Sequence, residues 1–137
     1  MVKIDVTVEE LREINVLKDL DIDILDMLLK KAFKISLRKG QTLFVEKEKV
    51  CNIYMVLKGK LTMYRYTEEG QKRVVYILNR GEMINEVIFD YKPASISCEA
   101  FEETEVICFN REDLLNIMEL NFKLTKAIID SMSKKIR

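Results

Sequence analysis

The chain has 137 residues and a mass of 16.1 kDa, enough for one domain of ordinary size. Hydrophobic residues make up 48% and charged residues 34%, with one Pro and four Gly, so a real core is available and disorder, collagen-like repeats and long linkers are excluded. The 23 basic residues balance the 23 acidic ones, which removes the general electrostatic case for nucleic acid or an anionic membrane as a direct partner.

The N-terminus, Met1-Val2-Lys3-Ile4-Asp5, carries charge early and has no apolar h-region. No stretch reaches the roughly 18 apolar residues that span a bilayer, so a soluble, cytoplasmic protein is expected. From Thr7 to about Ala32 apolar residues recur at helical spacing: Leu11, Ile14 and Leu17, then Ile22, Leu25, Leu28 and Leu29. Thr7 followed by Glu10 is a capping-box signal, and Asp21-Ile22-Asp23 interrupts the pattern. Two short helices are predicted, the second from about Asp21 to Ala32.

From Phe33 to about Asn110 the period changes. Seven β-rich runs follow: Phe33–Leu37, Thr42–Val45, Ile53–Leu57, Lys60–Tyr66, Arg73–Leu78, Ser95–Ala100 and Glu105–Phe109. Spacing of about 8–12 residues predicts an all-β sandwich or barrel, and no helix of crossover length separates the runs. All four glycines (Gly40, Gly59, Gly70 and Gly81) fall in turns, which need a positive φ. After Asn110, an N-cap residue type, the acids of Arg111-Glu112-Asp113 suit the first turn of a helix. Phe122, Thr125, Ile129, Met132 and Ile136 then step 3, 4, 3, 4, the spacing of a coiled-coil seam. That stripe either meets a second copy or packs on the chain's own β core.

Histidine is absent, which removes the commonest metal ligand and the side chain that titrates nearest neutral pH. No Ser-His-Asp or Cys-His hydrolase can be built, no nucleophile–base pair can be named, and an enzyme is not expected. Cys51, Cys98 and Cys108 lack C-x-x-C spacing and read as reduced thiols, and the seven methionines read as core filler. No G-x-x-x-x-G-K-[ST], G-x-G-x-x-G or carboxylate-rich metal loop occurs, so neither cofactor nor metal is expected. The most informative stretch lies between Gly81 and Ala100. Glu86, embedded in Met83-Ile84-Asn85-Glu86-Val87-Ile88-Phe89, puts a carboxylate beside the core, where it needs donors from backbone, a partner or a ligand hydroxyl.

An ordered set of pieces now stands out. It comprises the Lys39-Gly40 turn, Tyr54-Met55-Val56-Leu57-Lys58-Gly59, Thr67-Glu68-Glu69-Gly70 and Ile77-Leu78-Asn79-Arg80-Gly81-Glu82-Met83-Ile84-Asn85-Glu86. Ala100 with Thr104-Glu105-Val106, and Arg111-Glu112-Asp113-Leu114-Leu115, continue it. From about Leu17 onward the chain resembles the effector domain of the Crp/Fnr superfamily, the cyclic-nucleotide-binding β-roll. The resemblance implies a mainly β fold with flanking helices, a double-stranded β-helix or jelly-roll β-roll followed by a C-terminal dimerisation helix. Residues 1–32 would be the N-terminal helices and 33–110 the β-roll. Residues 111–137 would be C-terminal helices that include the start of the dimer helix. The family's DNA-binding helix-turn-helix would be absent from this chain, either a fragment or a stand-alone relative.

Within the cassette the resemblance puts Glu86 at the ribose-binding carboxylate and Ser95 at the small hydroxyl residue beside the phosphate. Asn85 stands at the family's glycine and Ala94 at its arginine, so the bidentate clamp on a cyclic phosphate is missing. Lys92 offers a cation at a different spacing. Met63, Val75, Tyr76 and Leu78 would line either an apolar pocket for an aromatic or other apolar effector, or a collapsed core. The cluster-binding cysteines and haem-ligating histidine of other members have no counterpart. The implied function is effector sensing in a bacterial transcription regulator. A small molecule other than a cyclic nucleotide would signal through a homodimer helix carrying Phe122, Thr125, Ile129, Met132 and Ile136. DNA would be reached only through the missing domain, and no membrane partner is implied. The alternative is a stand-alone cyclic-nucleotide-binding-like module that regulates a partner protein.

Overall fold

A strand that reads as an unbroken apolar run is buried on both faces, and Ile53-Tyr54-Met55-Val56-Leu57 is such a run. The computed structural model describes residues 2–84 and 90–136, with side chains to residue 134. Its strands are Phe33–Leu37 (β1), Thr42–Phe44 (β2), Asn52–Lys58 (β3), Leu61–Tyr66 (β4), Lys72–Leu78 (β5), Ser97–Ala100 (β6) and Thr104–Asn110 (β7). Two antiparallel sheets result, ordered β1-β7-β3 and β2-β6-β4-β5. This is the mainly β, jelly-roll architecture with flanking helices that the sequence predicts.

The first sheet separates two cores. Ile53, Met55 and Leu57 of β3, with Ile107 and Phe109 of β7, face the helices. Tyr54, Val56, Val106 and Cys108 point the opposite way, into the roll between the sheets. The period-2 alternation of a strand thus serves both layers at once. The helices are Val8–Leu11 (α1), Ile22–Leu29 (α2), Arg111–Leu120 (α3) and Phe122–Ile136 (α4). Those from both ends of the chain share the outer core through Leu11, Leu25, Leu28, Leu114, Leu124 and Ile128.

The caps form where the residue types predict them. Thr7 Oγ1 accepts from Glu10 N at 3.2 Å, while Thr7 N donates to Glu10 Oε1 at 3.0 Å. Asn110 Oδ1 accepts from the N–H groups of Glu112 and Asp113 at 3.0 and 3.3 Å. The first helix, however, stops at Leu11 and gives way to a run of turns through Leu20. The reason is a competing partner: Asn15 N donates to Gly81 O at 2.9 Å instead of continuing the helix. Leu11, Ile14, Leu17 and Leu20 are all buried at steps of three, a spacing that serial tight turns satisfy.

The long C-terminal helix carries two apolar faces. Leu124 and Ile128 face inward and are fully buried, whereas Phe122 and Ile129 are 76% and 53% exposed. Met132 is half-buried against the outer core, and Thr125 donates from Oγ1 to Met118 O at 2.8 Å. The side chain of Ile136 lies outside the described residues. Gly59 is fixed by close approach: a Cβ there would sit 2.4 Å from Thr104 Oγ1. Among the described residues no helix is long and apolar enough to cross a membrane.

Candidate functional site

The roll interior is assembled in register. Leu61 and Met63 of β4 pair with Leu78 and Tyr76 of β5, and on the other side with Ala100 and Cys98 of β6. Met63 and Leu78 are fully buried in this cluster, with Tyr76 half-buried against it. The opposite sheet contributes Tyr54, Val56, Val106 and Cys108, and Tyr54 stacks on Phe44 with ring centroids 6.1 Å apart. Burial pushes the Cys108 thiol up to about 12 and raises the Tyr54 phenol above its usual value. No side chain of this interior cluster carries a charge, among the described residues. These side chains form a packed apolar core between the two sheets. Its ionisable side chains, among the described residues, are the phenols of Tyr54 and Tyr76 and the thiols of Cys98 and Cys108.

The cassette between β5 and β6 is anchored at each end. At its start Gly81 N donates to Val56 O at 2.8 Å, Val56 N to Glu82 O at 2.9 Å and Ile84 N to Tyr54 O at 2.9 Å. At its end Ala94 N donates to Glu48 O at 2.9 Å and Lys47 N to Ala94 O at 2.7 Å. Lys47 adopts a left-handed φ of 75° to do so. The start is therefore tied to β3 in the first sheet, and the end to the loop that follows β2 in the second.

The residues that the sequence singles out fall in different environments. Met63, Tyr76 and Leu78 come together inside the roll. Val75 does not join them: it is the unpaired residue where the register shifts, and it is 51% exposed. Ala94 is 3% exposed and packs with Ile84 and Ile96 in the interior cluster. Ser95 is exposed, and its carbonyl accepts from Arg65 Nε at 2.9 Å. The buried hydroxyl is that of Ser97, which accepts from Glu46 N at 2.8 Å. Asn85 and Glu86 lie outside the described residues.

Three residues near the cassette escaped sequence reasoning. Arg65 and Arg73 stand directly opposite each other on β4 and β5, and Tyr91 carries its ring 4.0 Å from the Arg111 guanidinium. Nothing in a single sequence pairs Arg65 with Arg73, since the pairing depends on the shift at Val75. Outside the roll, a groove of about 580 Å³ runs between Asn15–Asp19, Gly81–Met83 and α4. Its rim mixes Lys18 and Lys134 with Asp19, Glu82 and Asp130, so it presents no single charge to a ligand. Among the described residues no group of three or more Cys, Asp or Glu is placed to hold a metal ion.

Known proteins place this architecture. The sequence matches the family model of the cyclic nucleotide-binding domain over residues 34–121. It is 22% identical over 111 residues to the CRP-like cAMP-activated global transcriptional regulator of Mycobacterium tuberculosis, covering 80% of this chain and 50% of that protein. It is 31% identical over 81 residues to the cyclic AMP receptor protein of Thermus thermophilus, covering 58% and 38%. Among solved structures, the sensor domain of the transcriptional regulator DNR from Pseudomonas aeruginosa superposes with a TM-score of 0.79 at 22% identity, covering 93% of this chain and 87% of that one. That last likeness carries the fold alone. The chain spans about half the length or less of the curated relatives it matches. Those relatives are transcription regulators rather than enzymes, and the matched segment takes in the roll, the cassette and α3 together. The chain belongs to the cyclic nucleotide-binding domain family and is related to the Crp/Fnr transcription regulators.

Proposed function

We propose that this chain senses a small molecule with an apolar body, other than a cyclic nucleotide, and reports its presence through a dimer built along α4. The observation that carries this reading is Ala94. It occupies the position that resembles the family's phosphate-binding arginine, and it is 3% exposed within a packed apolar interior. A cyclic phosphate is an anion, and without a guanidinium from the cassette its charge meets no bidentate partner there. Met63, Tyr76 and Leu78 supply apolar contact instead, while Glu86 and Asn85 are assigned to the same pocket by sequence position and Ser95 to its rim. The exposure of Phe122 and Ile129, on the side of α4 away from Leu124 and Ile128, favours a second copy along that helix. Effector binding would then act as a population shift between two dimer arrangements. Reading DNA is assigned to a helix-turn-helix unit outside residues 1–137, and a cytoplasmic location belongs to the same reading.

Titration calorimetry with cyclic AMP and cyclic GMP tests the ligand assignment. The expected dissociation constants are weaker than about 10 μM, roughly −7 kcal/mol. A tighter value for either nucleotide overturns the exclusion.

A further inference from the structure

One extra residue in a strand reverses the in–out order of every side chain beyond it. In β5, Leu78 and Tyr76 pair with Leu61 and Met63 on the interior face. Strict alternation from there would turn Val74 inward and Arg73 outward. The register shift intervenes: Tyr64 pairs with Val74 and Arg65 with Arg73, leaving Val75 as the extra residue. Val74 is accordingly 56% exposed. The outer row is marked by the Tyr64–Tyr66 ring contact at 5.6 Å and by Lys72 Nζ over the Tyr64 ring at 4.3 Å. Arg65 lies between those tyrosines in sequence and so on the opposite face, in line with Leu61 and Met63. Arg73 is brought beside it.

Like charges directly opposite each other on paired strands repel. Among the described residues neither Arg65 nor Arg73 forms an ion pair. Lys72, the neighbouring cation, is paired with Glu99. Arg65 is held toward the cassette end by its Nε bond to Ser95 O, which occupies one of its five N–H donors. We infer that Arg65 and Arg73 form an anion-binding pair at the mouth of the roll, and that the molecule it takes is an organic anion, an acidic group on an apolar body. The inference rests on the proposed effector pocket and names the ligand class for it. An anion between two guanidinium groups both relieves their repulsion and meets their forked donors.

The test uses two fluorescent probes: 8-anilinonaphthalene-1-sulfonate, an apolar body with an anionic group, and its neutral counterpart N-phenyl-1-naphthylamine. The native chain should bind both. The double variant Arg65→Gln, Arg73→Gln should bind the sulfonate at least about tenfold more weakly and the amine within about twofold. Lys72→Gln should change neither by more than about twofold, and inorganic phosphate should displace the sulfonate but not the amine. Equal sulfonate binding by the native chain and the double variant overturns the anion pair and leaves the apolar pocket standing. Amine binding without sulfonate binding does the same. Binding of neither probe by the native chain removes the pocket reading and the pair with it. If the glutamine variant loses both probes, Arg65→Lys, Arg73→Lys decides: recovered sulfonate binding supports the pair, and no recovery overturns it.

Discussion

The ring of Tyr91 lies 4.0 Å from the guanidinium of Arg111, and its hydroxyl donates to Glu112 Oε1 at 2.7 Å. One side chain near the end of the cassette thus holds two residues in the first turn of α3. Arg111 is 8% exposed, donates to Val50 O at 3.4 Å, and keeps a buried Nε without a hydrogen-bond partner among the described residues. The aromatic face is therefore a substantial part of what the cation meets. Tyr91 makes this contact from a left-handed backbone with φ of 59°, a conformation that a side chain with a Cβ adopts at a cost.

Two opposing effects at Tyr91 can be separated. Tyr91→Ala loses the ring and keeps the backbone strain, whereas Tyr91→Gly loses the ring and removes the strain. Both variants should melt below the native chain, with the glycine variant about 4 °C above the alanine variant by differential scanning calorimetry. Equal melting temperatures would mean that the left-handed turn relaxes when the ring is gone.

The N-terminal segment should show a pH signature. Lys34 Nζ, on β1, donates to Glu10 Oε2 and lies 3.6 Å from Glu105 Oε1. Burial opposes ionisation of Glu10, but the hydrogen bonds from Lys34 and from Thr7 N–H outweigh it and hold the carboxyl below its usual 4.5. A lowered carboxyl pKa contributes stability above the unfolded value, and that contribution is lost as pH falls through the folded one. Lys34 moves the other way: its bond to Glu10 holds it above 10.5, so its contribution is full below 10.5 and is lost as pH rises through the raised value. Glu10→Gln should cost about 1 kcal/mol at pH 7 in urea denaturation and flatten the acid limb below about pH 4.5. An unchanged acid limb would show that other carboxyls set it.

On α4 the two apolar faces make opposite predictions. Phe122→Glu with Ile129→Glu changes exposed positions, so the melting temperature should hold while any dimer dissociates in analytical ultracentrifugation. Met132→Ala removes a side chain packed against the chain's own core and should cost about 1–3 kcal/mol. A native chain that sediments as a monomer at about 100 μM would remove the case for α4 as an interface.

The three thiols should separate by rate. Cys51 is exposed, whereas Cys98 and Cys108 are buried. With its pKa pushed up to about 12, Cys108 holds only about one part in 10⁴ as thiolate at pH 8. Titration with an aromatic disulfide reagent at pH 8 should give one fast equivalent in the native chain and three after unfolding. A second fast equivalent would mean that the roll opens on the timescale of the reaction.

Most of the fold was legible because its signals are local. Thr7 and Glu10 form the cap that their spacing implies, Asn110 caps α3, and each of the seven β-rich runs becomes a strand within a few residues of its predicted ends. The end of the first helix is not legible in the sequence, because Gly81, more than sixty residues away, takes the Asn15 amide. The 3-4 stripe on α4 was visible, but the buried positions Leu124 and Ile128 sit beside it, and only the packed core separates the two faces. The gathering of Met63, Tyr76 and Leu78 inside the roll agrees with their family positions. Arg65 and Arg73 did not, because a bulge changes which residues face each other without changing their composition. The doublet Val74-Val75, which breaks strict alternation, is the one mark the bulge leaves in the sequence.

The anchoring of the cassette has an evolutionary consequence. Its start is bolted to β3 and its end to the loop after β2, so the stretch between Ile84 and Ala94 closes a gap whose width is fixed by backbone hydrogen bonds on either side. In general, doubling the length of a loop that joins two fixed points costs only about 0.6 kcal/mol in closure entropy. Length is therefore nearly free in this one interval, while a residue gained or lost within β3 or β7 would reverse the facing of two cores at once. The nine residues between Ile84 and Ala94 can be lengthened, shortened or rewritten, and the sheets on either side need not change.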